Sequence, residues 1–366
     1  MIRRKTKRIN VGYVPIGDGA PISVQSMTKN PTTDPKVLDE IKELEDVGCD
    51  IVRISVPDFD SVKALSKFRD KIRIPIISDI HFDWRIAIAV LEDGLCDGLR
   101  LNPGNIGGRD KIEKIVERAK RGNGYIPIRI GVNSGSIEKD ILANIGRDGF
   151  TVSDAMVESA LRNIKILEEC GFYDIKVSLK SSNVLDTIEA YRKFSEVSSY
   201  PLHLGVTEAG TRLSGSIRSA VALGILLWEG IGDTIRVSLA ASSSEEVIAA
   251  KKILASLNLY EEDVKVIACP TCARTEIDVV KISEEIEREL MRVRNGRKVS
   301  IAIMGCVVNG PGESYKADVG VVGGKSGVMM YVDGKKVGRA EKSDVKKKVL
   351  EIIDEKIKKG PGGEQR

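Results

Sequence analysis

Short aliphatic runs recur along the first 240 residues of the chain, and each begins at a turn signal and ends in polar residues. The eight runs are PISVQSMT from Pro21, DIVRISVP from Asp50, IPIISDIHFD from Ile74, DGLRLNPGN from Asp97, IPIRIGVN from Ile126, DIKVSLK from Asp174, PLHLGVTEAG from Pro201 and DTIRVSLA from Asp233. Amphipathic stretches of helix length lie between them, such as Lys36 to Val47 and Val152 to Cys170. Strands that alternate with helices are typical of βαβ units, so the pattern predicts a parallel sheet.

Eight such units within about 240 residues favour a closed (β/α)8 TIM-type barrel, an α/β fold. The spacing is regular except between the fifth and sixth runs, where the loop NSGSIEKDILANIGRDGFTVSD intervenes. The main alternative is an open doubly wound sheet, which also alternates strands and helices. Two observations count against it. No GxGxxG motif follows a strand, and polar side chains end nearly every strand instead of those at one switch point.

The pattern changes after Ala240. A last barrel helix is expected from Ser244 to Leu257. Beyond it come VKVIACPTCART, a further helix, VSIAIMGCVVNGPGE, two Gly-rich strands and a Lys-rich final helix. We therefore expect a barrel domain over residues 1–257 and a smaller α+β domain over residues 258–366.

Composition and charge narrow the class of protein. Of the 366 residues, 42% are hydrophobic and 30% are charged, which is a globular balance and excludes disorder as the main state. The net charge of +4 is too small to indicate a nucleic-acid coat protein. No apolar run reaches the roughly 18 residues of a membrane span, and Gly, Asp and Pro interrupt the start, where a secretory signal needs an apolar stretch. We expect a cytoplasmic protein that does not bind membranes, with reduced or metal-bound cysteines.

Basic side chains occupy matching positions on five of the predicted strands. Each alternates with aliphatic neighbours, so closure of the barrel would direct all five into one cavity: Arg53, Arg100, Arg129, Lys180 and Arg236. Clustered like charges repel unless an anion neutralises them, and arginine together with lysine favours phosphate. The pattern predicts a phosphorylated, polyanionic small-molecule substrate. It disfavours nucleic acid, because aromatic residues are sparse and the cations converge in a pocket.

Polar side chains also end the third and the seventh predicted strands. Asp79 and Glu208 are the candidates for proton transfer, although either could instead be the salt-bridge partner that orients an arginine. His81 lies beside Asp79, where it could contact an anion or a hydroxyl group. Two further polar residues share a strand face with the cations: Asn133 and Ser238.

The six cysteines fall into two sets. Three lie at helix ends or strand starts, and we interpret them as small buried apolar residues: Cys49, Cys96 and Cys170. The other three lie in turns that follow strands, two in the motif CPTC and one in MGCVVNGPGE: Cys269, Cys272 and Cys306. The CxxC spacing allows two thiolates to bind one metal centre.

Three interpretations of the second set remain open. A redox dithiol would need only the CxxC pair and would leave Cys306 unexplained. A structural zinc site would need a second pair or histidines, and neither is near in the sequence. An iron–sulfur cluster normally has four cysteine ligands, so its fourth ligand here would be another side chain, of which Glu313 is the nearest acidic one.

The motifs that matter most are PISVQSMT, DIVRISVP, DIHFDWRIA, LRLNPGNIG, IPIRIGVNSGS, PLHLGVTEAG, EGIGDTIRVSLA, ACPTCART and GCVVNGPGE. Together they resemble one enzyme family, the bacterial 4-hydroxy-3-methylbut-2-enyl diphosphate synthases of the methylerythritol phosphate pathway to isoprenoids. The resemblance continues to the VGVVGG strand and covers most of the chain. No motif position departs from the family pattern, and the chain lacks the long insertion between domains that plant relatives have.

The resemblance implies that the small domain holds a 4Fe–4S cluster through three cysteines and one glutamate, which fall on Cys269, Cys272, Cys306 and Glu313. It implies that the substrate is 2-C-methyl-D-erythritol 2,4-cyclodiphosphate. The barrel residues that match its diphosphate site or lie nearby are Arg53, His81, Arg100, Arg129, Asn133, Lys180, Arg236 and Ser238. Asp79 and Glu208 match the acidic groups proposed for the barrel of this family.

The implied reaction is a two-electron reductive ring opening with loss of water, supplied with electrons through the cluster by a flavodoxin or a ferredoxin. The resemblance also implies a head-to-tail homodimer. Two alternatives remain. One is a barrel enzyme that acts on phosphorylated small molecules without redox chemistry, its second domain stabilised by zinc. The other is a non-catalytic iron–sulfur regulator that binds nucleic acid, and the converging cations count against it.

Overall fold

The computed structural model describes residues 2–120, 125–292 and 298–359. The chain divides into two compact units, Met1–Tyr260 and Glu261–Arg366. This division lies three residues beyond Leu257, the predicted end of the barrel domain (260 − 257 = 3). The last residues of the expected second domain, 360–366, lie outside the described residues.

A short antiparallel hairpin precedes the barrel, with strands β1 (Ile9–Val11) and β2 (Val14–Ile16). Gly12 turns the chain between them at φ +55°, a conformation that favours glycine. The buried side chains of the hairpin pack against Ile51 and Ile77, which lie near the starts of two barrel strands. The hairpin therefore closes the amino-terminal end of the barrel, a feature that the pattern of aliphatic runs does not predict.

Eight parallel strands form the barrel wall: β3 (Ser23–Met27), β4 (Ile51–Ser55), β5 (Ile76–Asp79), β6 (Gly98–Arg100), β7 (Ile128–Asn133), β8 (Ile175–Lys180), β9 (His203–Leu204) and β10 (Thr234–Ile235). Their order round the wall is β8-β7-β6-β5-β4-β3-β10-β9. The wall closes where Val177 of β8 forms a parallel bridge with Leu202, next to β9. Each strand lies within one of the eight predicted runs, so the predicted TIM-type barrel is confirmed.

The helices of this unit connect the strands: α1 (Lys36–Asp46), α2 (Phe59–Phe68), α3 (Trp84–Glu92), α4 (Pro103–Ile106), α5 (Arg109–Ala119), α6 (Lys139–Leu142), α7 (Val152–Glu169), α8 (Val184–Val197), α9 (Arg212–Trp228) and α10 (Ser243–Ser256). Single turns of 3-10 helix occupy Arg69–Lys71 and Ser134–Ser136. No described helix is long and apolar enough to cross a membrane.

Side-chain caps fix where several helices begin. The Asp58 carboxylate accepts a 2.8 Å hydrogen bond from the N–H of Ser61 at the start of α2. At the start of α7, the N–H of Thr151 donates to Asp154 at 2.9 Å, and the N–H of Asp154 donates to the Thr151 hydroxyl at 3.3 Å. This capping box ends the long loop after β7 and starts the helix that leads to β8.

Alternate residues of a strand point to opposite faces of the wall, and here the two faces differ in chemistry. Aliphatic side chains such as Val52 and Ile54 of β4 belong to the large core that the wall shares with the surrounding helices. The residue between them, Arg53, belongs to the opposite face. The polar positions of the predicted strands therefore end up inside the barrel, as the alternation requires.

The second unit is built on a five-stranded sheet: β11 (Val264–Ala268), β12 (Val299–Met304), β13 (Val319–Gly324), β14 (Gly327–Val332) and β15 (Lys335–Ala340). The first three strands are parallel and the last two are joined as antiparallel hairpins. Its described helices are α11 (Val279–Arg292), α12 (Gly310–Tyr315) and α13 (Val345–Lys359). They share a core with the sheet that includes Ile286, Ile301, Val321 and Val349. This matches the α+β architecture that the sequence predicts.

Candidate active site

Three of the five predicted cations, Arg100, Lys180 and Arg236, lie at or just after the carboxyl ends of barrel strands. Arg53 is in the middle of β4, and Arg129 is the second residue of β7, in register with Arg100. We call the region of these five cations the barrel mouth. Arg53, Arg100, Arg129 and Lys180 lie on β4, β6, β7 and β8, and Arg236 follows β10 by one residue. Arg129 exposes only 2% of its surface, Lys180 6% and Arg100 7%. Burial and the nearby charges of Arg129 and Arg236 lower the pKa of Lys180 well below its ordinary value. Burial also lowers the pKa of Arg53 to about 10.

Asp79, at the end of β5, is a buried carboxylate among these cations. It pairs with Arg100 Nη1 at 3.3 Å, His81 Nε2 at 3.5 Å and Arg53 Nε at 3.6 Å. Burial alone would raise its pKa, but the Arg53 charge, the His81 hydrogen bond and the Arg100 charge hold it well below its ordinary value. Asp79 is therefore ionised at neutral pH. This favours the interpretation in which it orients arginines over the one in which it donates a proton.

A second buried carboxylate, Glu246 in the first turn of α10, was not predicted from the sequence. It pairs with Lys29 Nζ at 3.2 Å and Arg236 Nη2 at 3.3 Å. It also accepts a 3.0 Å hydrogen bond from the N–H of Leu239 and a 3.1 Å bond from the Ser26 hydroxyl. The available signal was the pair Glu245 and Glu246, five and six residues after the eighth run, at a helix start.

Two of the most deeply buried cations keep nitrogen atoms without a hydrogen-bond partner in the described part of the chain. Arg129 donates through Nη1 to Ser178, but its Nε and Nη2 atoms have no hydrogen-bond partner. Lys176, its neighbour in register on β8, is 2% exposed, and its amine has no partner either. Lys176 was not among the predicted site residues. Buried cations without counter-ions are costly, so the barrel interior is suited to receive an anion.

Two glycines leave room for these cations. A Cβ atom at Gly131 would lie 2.9 Å from Arg100 Nε and 3.1 Å from Arg129 Nη1. A Cβ atom at Gly205 would lie 2.7 Å from Lys180 Nζ. A side chain at either position, Gly131 in β7 or Gly205 directly after β9, would therefore require the neighbouring charged group to move.

The other predicted residues take different places. His81 is about half exposed at 48% of its side chain, and its Nδ1 lies 2.9 Å from Arg100 Nη1. Asn133 ends β7 and is partly buried, and Ser238 is partly buried three residues after β10. Glu208 does not end its strand, contrary to the prediction from the sequence. Strand β9 stops at Leu204, and Glu208 is exposed on the following loop at φ +52°.

In the second unit, two loops that carry the predicted metal ligands contact each other. Cys269 follows β11 directly, and Cys306 lies two residues after β12. The N–H of Glu276 donates to the carbonyl of Gly305 at 2.8 Å. A Cβ atom at Gly305 would lie 2.9 Å from Thr275 Oγ1, so the two loops pack at van der Waals distance.

The thiols of these loops are chemically available. Cys272 is exposed and Cys269 and Cys306 are partly buried, all three as free cysteines. The N–H of Cys272 donates to Thr275 Oγ1 at 3.0 Å, and Thr271 adopts φ +62°. Such left-handed backbone is unfavourable for a branched residue, and it is common at functional sites.

Glu313 lies in α12, which begins four residues after Cys306. Among the described residues, no three His, Cys, Asp or Glu side chains are close enough to hold one metal ion. The donor set still suits an iron–sulfur cluster, because it offers three reduced thiols on contacting loops and a carboxylate on the helix after the second loop. The residues therefore fit a cluster by the chemistry of their donor atoms and by their positions along the chain. The described residues do not form a ready-made site for a single metal ion.

The cysteines of the barrel differ from these. Cys49 and Cys96 are buried, and burial raises the pKa of each thiol to about 12, as expected for inert core residues. Cys170 is only partly buried, so the expectation of a buried residue is met less fully there.

The fold and the site define a class of protein: a TIM-type barrel with a cationic mouth, followed by a small α+β unit that carries three free thiols. The family model of the GcpE TIM-barrel domain matches residues 6–251, and that of the GcpE protein C-terminal domain matches residues 265–355. The chain belongs to the GcpE family.

Its relatives share about half of its residues. A protein of Symbiobacterium thermophilum is 50% identical over 97% of this chain and 94% of its own length. A protein of Clostridium tetani is 50% identical over 96% of this chain and 99% of its own length. Both are named 4-hydroxy-3-methylbut-2-en-1-yl diphosphate synthase (flavodoxin). The resemblance that the motifs carry is thereby confirmed.

A solved structure of the two-domain HPPK-DHPS of Plasmodium falciparum resembles the chain in fold alone. Its TM-score is 0.50 at 12% identity, and the match covers 69% of this chain and 50% of that one.

Proposed function

We propose that the chain reduces 2-C-methyl-D-erythritol 2,4-cyclodiphosphate to 4-hydroxy-3-methylbut-2-enyl diphosphate, opening the ring and releasing water. The names of its relatives confirm the expected enzyme class, an oxidoreductase of isoprenoid biosynthesis that uses flavodoxin. The observation that supports the assignment of the barrel is its excess of buried cations: among the described residues, the Lys176 amine and two nitrogens of Arg129 have no hydrogen-bond partner.

The barrel mouth binds the diphosphate. Arg53, Arg100, Arg129, Lys180 and Arg236 present several donors in a space shielded from water, where each contact to phosphate is strong. Asn133, Ser238 and His81 supply further hydrogen bonds at the rim. Asp79 and Glu246 hold the arginines in place by salt bridges, so binding requires little reorganisation.

The two predicted acidic residues, Asp79 and Glu208, have different roles. Asp79 stays ionised and positions Arg53 and Arg100. Glu208 lies on the loop that follows β9, and it is exposed. It is therefore the better placed of the two to give a proton to the departing hydroxyl group.

The second unit holds a 4Fe–4S cluster through Cys269, Cys272, Cys306 and Glu313. When bound, this group supplies one-electron transfer to the substrate. A carboxylate binds iron less tightly than a thiolate, so Glu313 would be the weakest of the four residues that hold the group. Flavodoxin is the electron donor, and a head-to-tail homodimer in the cytoplasm is the form in which we expect the enzyme to work.

The barrel assignment is tested by measuring binding of the cyclodiphosphate and steady-state kinetics. Arg53→Ala and Lys180→Ala each remove one charge-assisted contact worth roughly 1.5–3 kcal/mol, so the Michaelis constant should rise about ten- to hundredfold with the cluster spectrum unchanged. Lys63→Ala removes a lysine that is 73% exposed on α2 and should change neither. Unchanged substrate affinity in both barrel variants would place the substrate elsewhere.

The zinc-stabilised alternative makes a different prediction for the same protein. An anaerobically purified 4Fe–4S protein is brown and gives a spin-resonance signal on reduction, whereas a zinc protein is colourless. Stoichiometric zinc without iron would contradict the proposal.

A further inference from the structure

Lys29 is a cation of the barrel unit that has no role in the substrate site proposed above. It lies on the loop between β3 and α1, two residues after Met27, the last residue of β3. Its ammonium group pairs with the Glu246 carboxylate at 3.2 Å and donates a 2.8 Å hydrogen bond to the carbonyl of Leu239. It also donates to the carbonyl of Ala241. All three N–H donors of the ammonium group therefore have an acceptor within the chain, and none is left for a ligand.

Glu40 fixes the backbone of this loop. Its carboxylate accepts hydrogen bonds from the N–H of Lys29 at 2.9 Å and from the N–H of Asn30 at 3.1 Å. It also accepts a 2.7 Å hydrogen bond from the hydroxyl of Ser243, the first residue of α10. Because Glu40 lies on α1, its carboxylate joins the two helices and holds Lys29 against the loop that leads from β10 to α10.

The Glu246 carboxylate pairs with two cations. Its side chain is 2% exposed, and one of its oxygens lies 3.2 Å from Lys29 Nζ while the other lies 3.3 Å from Arg236 Nη2. Arg236 Nε lies 3.4 Å from that second oxygen. One negative charge is thus shared between two positive charges, so the group of three carries a surplus positive charge that can attract a phosphate.

We propose that Lys29 is a positioning residue of the substrate site: it neutralises Glu246, so that Arg236 stays available for the phosphate groups of the substrate. This inference rests on the proposed function, because it takes Arg236 as a phosphate ligand. Without the Lys29 charge, Glu246 would be a buried carboxylate with Arg236 as its one cation among the described residues. A buried carboxylate holds a single counter-ion strongly, so Glu246 would compete with the substrate for Arg236.

The same contacts place Ser238, the other proposed substrate residue after β10. Leu239 follows it directly. The N–H of Leu239 donates to Glu246 at 3.0 Å, and its carbonyl accepts from Lys29 at 2.8 Å. Both peptide groups of Leu239 are therefore tied to the pair of Lys29 and Glu246. Through this pair, the β3–α1 loop is coupled to the segment that carries Arg236 and Ser238.

Steady-state kinetics and calorimetric binding of the cyclodiphosphate to the anaerobic holoenzyme test the proposal. Lys29→Met should raise the Michaelis constant and the dissociation constant about five- to fiftyfold and leave kcat within about twofold, because only uniform binding is lost. Iron content and the cluster spectrum should not change. Lys42→Met is the matched control. Lys42 pairs with Asp39 at 3.7 Å on the exposed side of α1, so its replacement should alter neither constant.

Two further variants separate the charge of Lys29 from its packing. Lys29→Arg keeps the positive charge and should retain most of the wild-type affinity. Lys29→Gln keeps a hydrogen-bond donor but no charge, so it should behave like Lys29→Met. A folded Gln variant that binds the cyclodiphosphate as tightly as the wild type would overturn the proposal, because the charge would then have no effect on the site.

A double-mutant cycle with Glu246→Gln tests the mechanism. In that background there is no carboxylate to neutralise, so Lys29→Met should raise the Michaelis constant at least about fivefold less than it does in the wild type. Effects that simply multiply in the double variant would contradict the proposed charge balance. Far-UV circular dichroism shows whether each variant is folded, and the Lys29 variants decide the outcome by themselves if the Glu246→Gln protein does not fold.

Arg236→Ala separates this inference from the proposed function. It removes a charge-assisted contact and should raise the Michaelis constant about ten- to hundredfold. If Arg236→Ala weakens binding and Lys29→Met does not, only the role of Lys29 is wrong. If neither variant weakens binding, the substrate does not use Arg236, and both the proposed diphosphate site and this inference are wrong.

Discussion

Lys176 is the residue with the clearest thermodynamic consequence. Its amine is buried without a partner among the described residues, and burial, with the charges of Arg129 and Arg53, lowers its pKa well below the ordinary value. The folded chain therefore binds fewer protons at this site than the unfolded chain does. Stability must rise with pH between the lowered pKa and the ordinary lysine pKa of about 10.4.

We predict that Lys176→Met stabilises the barrel. Methionine has a similar volume and needs no proton loss on folding, so the free energy of unfolding should increase by about 1–4 kcal/mol at pH 7. The gain should shrink as the pH approaches 10. Denaturant unfolding of the barrel transition at several pH values measures both effects. A destabilised Met variant would mean that Lys176 has a counter-ion in the native protein.

Gly131 tests how tightly the guanidinium groups are placed. In Gly131→Ala the new methyl group would crowd Arg100 Nε and Arg129 Nη1, at 2.9 and 3.1 Å, and both groups would have to move. A shift of about 1 Å in a binding group can cost up to about a hundredfold. We expect the Michaelis constant to rise about ten- to hundredfold, with iron content unchanged. Normal kinetics would show that these arginines do not position the substrate.

At the scale of elements, the two thiol-bearing loops are the features to perturb. They begin at the ends of strands β11 and β12, and backbone contacts between the loops hold them together. Cys306→Ser should lower the iron content and abolish turnover, because a serine oxygen is a poor iron ligand. Cys49→Ala should keep both, since Cys49 is a core residue. Full iron occupancy and normal turnover in Cys306→Ser would remove this loop from the cluster site.

Glu313 should behave differently from the cysteines. Glu313→Ala should still assemble a cluster through three thiolates, but one that is lost faster in air. Turnover should fall, because the exchangeable ligand is gone. Cluster spectra and rates equal to those of the wild type would make Glu313 an ordinary carboxylate of α12.

For the whole molecule, the proposed reaction needs the substrate phosphates and the electron source in one water-poor space. A head-to-tail homodimer would make each site from two copies. Glu208→Gln damages the barrel half of a site and Cys306→Ser the cluster half, so neither variant should turn over alone. In mixed dimers one site would carry both lesions and the other none, and co-expression should restore activity. Verified mixed dimers that stay inactive would contradict the idea that each active site is made from two copies of the chain.

Much of the fold could be predicted from the sequence because it depends on local periodicity. The alternation in DIVRISVP places Arg53 on one face and its aliphatic neighbours on the other, whatever the partner strands are. Eight repeats of this pattern are compatible with only a few fold architectures. The extent of the strands was less predictable: β9 ends at Leu204, and Glu208 lies on the following loop at φ +52°.

The residues of the candidate site also fall into two groups: those that the sequence predicts and those that only the structure reveals. The five cations of the barrel mouth and the CPTC cysteines can be read from spacing alone, because strand alternation and a tight turn fix which side chains converge. The pairing of Glu246 with Lys29, the burial of Lys176 and the room at Gly131 depend on contacts between different elements, so they exist only in the closed barrel. The sequence by itself determined the barrel, the charged mouth and the donor set. Only the tertiary structure decided which charges are paired and which remain without counter-ions among the described residues. It also decided which face of α9 is exposed. These properties depend on contacts between elements far apart in the chain.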